Sequence, residues 1–207
     1  MKETLSEIFI NLCSKYSNDA DLIIQYWKEI EQSYSQKNRY YHNLIHLENM
    51  VMELSKVSKD LNDIDSLLFS VFYHDLIYKS TSKDNEEKSA EIAKIRLQKI
   101  NINSEQINKI YNQILATKSH KISNDSDTNY LLDADLSILG KKWNAYETYT
   151  KQIRKEYSIY PDYMYHPGRK KILEHFLTFD RIYKTDYFVE IYEKQARENI
   201  SREIESL

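Results

Sequence analysis

The chain has 207 residues, with 29 Lys and Arg against 32 Asp and Glu, a formal charge of -3. Only two residues are Gly and two are Pro, while 18 are Tyr. Such a length suits one medium domain with a real core. The shortage of glycine disfavours hairpin-rich β folds, and neither a GxGxxG nor a GxxxxGK[ST] loop is present. The near balance of charge gives no broad basic face for nucleic acid. No apolar run approaches the roughly 18 residues of a membrane span. The start, MKETLSEIF, lacks the pattern of a signal peptide. A single cysteine, Cys13, cannot form an internal disulfide, which fits a reducing cytoplasm.

Taken in chain order, nearly every segment has a helical period. Leu5, Ile8, Phe9, Leu12, Cys13 and Tyr16 form the first apolar stripe, preceded by the capping box Thr4-Leu5-Ser6-Glu7. Leu22, Ile23, Tyr26, Trp27, Ile30 and Tyr34 form the second, with Asn18 or Asp19 as its cap. Asn43 caps a third helix carrying Leu47, Met50, Val51 and Leu54. A fourth is expected from about Asn62 to Ile77.

Asp84 to Glu87 reads as a capping box for a helix through Ile100, and Ser104 opens the next. Ser119 to Asn129 reads as a loop, followed by a short helix from Tyr130 that ends on Gly140 as a C′ residue. Asn144 to Glu147 is expected to cap a helix that stops before Pro161. Asp162 to Gly168 is expected as a loop, with two last helices around Ile172–Leu177 and Phe188–Asn199. The sum is an all-α domain of about ten helices over residues 1–207, without repeats or linkers.

The informative residues are polar ones on apolar faces. The stripe Ile64, Leu67, Leu68, Val71 continues at i+3 and i+4 onto His74 and Asp75. Asp135 lies three or four residues past Leu131 and Leu132. Burying such groups without partners costs several kcal/mol. A metal ion would resolve the cost, because imidazole and carboxylate are its ligands. Singly, each has a plainer explanation. His74 and Asp75 could be a hydrogen-bonded core pair, Asp133 and Asp135 a solvated face, His42 a loop residue and His46 a filler of the first turn.

Together, His46, His74-Asp75 and Asp135 form an ordered H…HD…D pattern. It resembles the HD superfamily of metal-dependent phosphohydrolases. YHNLIH, residues 41–46, also resembles the YHNxxH string of the cyclic-nucleotide phosphodiesterases within that superfamily. The run RYYHNLIH, FYHDLIY, DNEEKSA, LLDADLSILG, IRKEYS, GRKKIL and AREN resembles a bacterial family of small HD phosphohydrolases from Arg39 to the C-terminus. The further His that follows HD in the phosphodiesterases is absent, as is the glycine of HDIG-type proteins.

The resemblance implies an all-α HD domain that hydrolyses a phosphate ester, such as a nucleotide or another small phosphorylated metabolite. It implies a divalent metal centre (Mn, Fe, Co, Ni, Zn or Mg), of one ion or two, on His46, His74, Asp75 and Asp135, with His42 as general acid. Asp133 would orient a ligand or lie in solvent. For a phosphate-binding cation, Arg39 is the first choice, with Arg154, Arg169, Lys118 and His120 as alternatives. Glu86 is read as a capping residue or a proton carrier, and Tyr160, Tyr163 and Tyr165 as packing or base-stacking groups. Two other classes stay open: a di-iron oxygenase of the HD type, for which His120 is the spare ligand, and a non-catalytic nucleotide-binding module that keeps the metal for structure.

Overall fold

The computed structural model describes residues 3–207; the first two residues of the MKETLSEIF start lie outside the described residues. Those described are helical, with no strand among them. The helices are α1 (Leu5–Ser14), α2 (Ala20–Tyr34), α3 (Leu44–Lys56), α4 (Ile64–Tyr73), α5 (Asn85–Lys99), α6 (Ser104–Ala116), α7 (Ser126–Leu136), α8 (Trp143–Glu156) and α9 (Asp162–Leu177). The last, α10, runs through Asp186–Phe188, a π-helical turn at Val189–Glu193 and Lys194–Ser206.

Local chemistry sets many of these ends. Thr4 and Glu7 form the expected capping box, each accepting a backbone N–H of the other. Asp19, Asn43, Asp63, Asn103 and Asp125 each accept an N–H from the first turn they precede. The centre of the core is α4, where Leu67, Phe69, Val71, Phe72 and Tyr73 are all buried. It packs against α3, α5, α6 and α7, so residues at its C-terminal end emerge where three other helices meet.

Several boundaries differ from the sequence expectation. α4 stops at Tyr73, not Ile77, because the next backbone groups bond to side chains from elsewhere. The Tyr34 hydroxyl accepts the Asp75 N–H, Arg39 donates to the carbonyls of Asp75 and Leu76, and the Ser89 hydroxyl accepts the Ile77 N–H. Asp84 does not cap α5; its carboxylate takes Ser82 and Lys88 instead. α7 begins at Ser126, inside the span read as a loop.

α8 opens at Trp143 with no side-chain cap, so Asn144 to Glu147 lie inside it. Asp162 to Gly168 is helix, not loop. Pro161 precedes the first helical residue, and Pro167 sits inside, where its missing N–H leaves the Tyr163 carbonyl on an exposed face. Gly140 is not a left-handed C′ residue. It is required because a Cβ there would lie 2.5 Å from the Tyr192 Cβ and 2.7 Å from the Tyr192 carbonyl oxygen. Asn199, from the AREN string, holds this crossing by donating to the carbonyls of Leu139 and Lys141.

Candidate metal centre

Three helix ends and one turn bring the polar residues together. His46 sits in the first turn of α3, placed by the Asn43 cap at 2.9 Å from the Ile45 N–H. His74 and Asp75 follow the last residue of α4. Asp135 is in the last turn of α7. One donor atom from each of His46, His74 and Asp75 lies within 4.8 Å of the others, so these three could hold a metal ion. Asp135 closes the group from the side of the imidazoles, its Oδ1 3.1 Å from His46 Nε2 and 3.9 Å from His74 Nε2.

The donor set suits a cation. His74 Nδ1 is 2.9 Å from the Val71 carbonyl, the contact of an Nδ1–H donor, and this leaves Nε2 as a lone pair in the neutral ring. That Nε2 lies 3.3 Å from His46 Nε2 and 3.4 Å from Asp75 Oδ2. Both imidazoles are buried, at 3% and 1% exposure. Among the described residues, no Lys or Arg pairs with Asp75 or Asp135.

Without a cation, protons must balance this charge. Burial disfavours the His74 imidazolium, but Asp75 and Asp135 beside it push its pKa up to about 9. Burial opposes ionisation of Asp75 too, yet His74 holds its carboxyl well below the usual range. Asp135 is held low in the same way against burial, by its bonds to His120 and His46. Burial wins only at His46, whose pKa falls.

His42 lies just outside α3 and does not join the ligand group. Its Nδ1 is 2.6 Å from Glu156 Oε2, and its Nε2 faces Asp75 Oδ2 at 3.9 Å. Burial lowers its pKa, but the bond to Glu156 and the charge of Asp75 outweigh that and raise it. The Tyr78 ring stacks on the imidazole at 4.2 Å.

Glu156 is the residue that sequence reasoning missed. It ends α8 with its side chain fully buried, and it accepts from the N–H groups of Tyr41 and His42 as well as the Tyr78 hydroxyl. It thereby fixes both the loop and the ring of His42. The signal was present: Tyr146, Tyr149, Ile153 and Glu156 share the buried stripe of α8, the anomaly that singles out Asp75. In the IRKEYS string, attention went to Arg154 instead.

The expected phosphate-binding cations are otherwise engaged. Arg39 stands behind the turn that carries Asp75. It is 5% exposed, and its guanidinium donates to the carbonyls of Asp75 and Leu76 at 2.6 and 2.8 Å, between the rings of Tyr34 and Tyr78. It braces the turn that carries Asp75, while its Nε has no hydrogen-bond partner. Arg154 is held by Asp162, Arg169 by Glu203, and Lys118 by Glu87.

His120 does reach the site. It adopts φ 50° after α6, a conformation uncommon outside glycine, and its Nε2 lies 2.9 Å from Asp135 Oδ2. Asp133 neither touches a ligand nor lies in solvent. It is fully buried and accepts the N–H groups of Lys184 and Thr185 and the Thr185 hydroxyl. Glu86 lies in the first turn of α5, and its neighbour Glu87 pairs with Lys118.

No protein-family model matches the chain, and neither the curated proteins nor the solved structures searched give a match. Among the described residues, no helix is long and apolar enough to cross a membrane.

Proposed function

We propose that this chain is a metal-dependent phosphohydrolase of the HD kind, acting on a phosphate ester of a small metabolite or nucleotide. The observation that carries this reading is the convergence of two imidazoles and the Asp75 carboxylate, with Asp135 against the imidazoles, beside a separate, Glu-held histidine. His46, His74, Asp75 and Asp135 would hold the ion. A divalent ion in that donor set supplies Lewis acidity toward a phosphoryl oxygen and makes water a nucleophile near neutral pH.

The chain's own residues do the rest. Glu156 fixes the Nδ1–H tautomer of His42 and leaves the other ring nitrogen turned to the edge of the cluster. In its protonated form, His42 gives a proton to the leaving oxygen of the ester. Tyr78 holds the ring flat by stacking. Arg39 keeps the Asp75 turn in place from behind. Tyr41 packs against His42, His46 and Tyr149, closing the dry side of the site.

The test is His42→Ala. Metal affinity should be unchanged, and turnover of an ester with a poor leaving group should fall by about 10²–10⁴, the usual contribution of a positioned acid. Loss of metal in this variant would make His42 a ligand; unchanged kcat would remove it from the chemistry. A nitrophenyl ester is unsuited, since its leaving group hardly needs the proton. The contact of His120 with Asp135 favours a second reading, a two-ion oxygenase centre, and two irons per chain on metal analysis would select it.

A further inference from the structure

Arg154, Arg169 and Lys118 are held by carboxylates, and the Arg39 guanidinium is turned to the carbonyls of Asp75 and Leu76. The segment between α9 and α10 carries a further cation, Lys184. Three contacts dock this segment on α7: Asp133 grips the N–H groups of Lys184 and Thr185 at 2.8 Å, and the Tyr183 hydroxyl donates to the Leu136 carbonyl at 3.0 Å. The backbone of Lys184 is therefore fixed to the same turn of α7 that carries Asp135.

The Lys184 side chain is half-buried, with its ammonium over the Phe179 ring. Phe179 packs on Phe176, and Phe176 packs on His120, which touches Asp135. Lys184, the two phenyl rings and His120 thus form a chain of successive contacts that ends at Asp135. The ammonium donates to one backbone carbonyl, that of Ile182 at 2.6 Å. Among the described residues no carboxylate pairs with it. Asp133 has spent its oxygens on the backbone, and Glu193 pairs with Arg197 and the N–H groups of Ile182 and Tyr183. Burial lowers its pKa, and the charges of Asp133, Asp135 and Glu193 do not restore it.

An ammonium that is partly desolvated without a carboxylate partner carries a cost that a bound anion removes. We propose that Lys184 is the anion-binding residue of this site and contacts the phosphate group of the substrate beside Asp135. The proposal rests on the metal-centred reading above and adds the residue that sets its preference for anionic substrates. Asp133 is then a positioning residue, holding Lys184 toward the site through the backbone.

The experiment is calorimetric titration of inorganic phosphate into the Mn²⁺-loaded full chain, with Mn²⁺ affinity measured separately. Lys184→Gln should weaken phosphate binding by about tenfold or more, the size of one charge-assisted hydrogen bond, and leave Mn²⁺ affinity unchanged. Lys184→Arg should stay within about threefold of wild type. Lys184→Met, which keeps the packing on Phe179, provides a second loss of charge if the Gln variant is poorly folded. Phosphate binding at wild-type strength in folded Gln or Met variants would overturn the proposal. Wild type that binds Mn²⁺ but no phosphate would overturn it while sparing the metal centre. Wild type that binds no Mn²⁺ would overturn the reading beneath it as well.

Discussion

Two clusters of buried polar side chains lie on either side of Tyr149, and they differ in one respect. Behind Tyr149, Arg169 forms a two-pronged ion pair with Glu203, at 2.8 and 3.1 Å, and Tyr146 donates its hydroxyl to the same carboxylate. Every charge there has an opposite charge within the chain. In front, through Tyr41, stand His46, His74, Asp75 and Asp135. These are acceptors or acids facing one another, with neither Arg nor Lys among them. The first cluster is complete as folded; the second is complete only with a cation or with protons borrowed by histidine. Burial alone therefore does not mark the candidate metal site; the missing counter-charge does.

Removing one partner should break the first cluster hardest. Arg169→Ala leaves Glu203 buried and unpaired, and should cost about 3–5 kcal/mol in urea denaturation at neutral pH. Metal affinity of the folded fraction should stay at the wild-type value, because Arg169 belongs to the self-contained cluster. Replacing both partners, as Arg169→Met with Glu203→Leu, should recover most of that loss, since well-packed apolar groups replace buried pairs at little cost. A double variant as unstable as the single one would show that the pair does more than satisfy itself.

A smaller effect concerns another buried carboxylate. Glu53 is fully buried and bonded to Lys56, Lys141 and Tyr192. Burial raises its pKa, but the two lysines outweigh this and hold it below the ordinary glutamate range. A depressed carboxylate contributes stability above its unfolded pKa, about 4.3, and loses it as the pH falls through the folded value. Glu53→Gln should therefore be less stable than wild type at pH 7, and the gap should close as the pH drops below about 4. Denaturation curves at pH 7 and at acid pH check this; a gap that widens on acidification would contradict it.

The contrast also explains what was legible in the sequence. The stripes of α1, α2, α3 and α6 are plain because their apolar residues keep one face and a capping side chain marks the start. His46, His74, Asp75 and Asp135 stood out because charge falls where those faces should be apolar. α9 was hidden, since Pro167 and Gly168 are breakers that its exposed face tolerates and its buried stripe is only Tyr165, Arg169 and Leu173. The end of α4 was hidden too, because tertiary bonds from Arg39, Tyr34 and Ser89 decide it.

The roles of cations were the least legible. Arg39 and Lys184 look alike as letters, and only packing shows that Arg39 braces the Asp75 turn through two carbonyls while Lys184 donates to one, that of Ile182.

The central claim, that the forward cluster is completed by a cation, is tested most directly by titrating Mn²⁺ or Zn²⁺ into chelator-treated protein and following heat and thermal unfolding together. Wild type should take up metal and gain stability, by about 2.7 kcal/mol when the free ion stands at 100 times its dissociation constant. Asp75→Ala should stay folded and lose affinity by more than about 100-fold, beyond what loss of an outer partner costs, and with it the stabilisation. Uptake of equal strength in Asp75→Ala, or a wild type indifferent to both ions, would contradict the account.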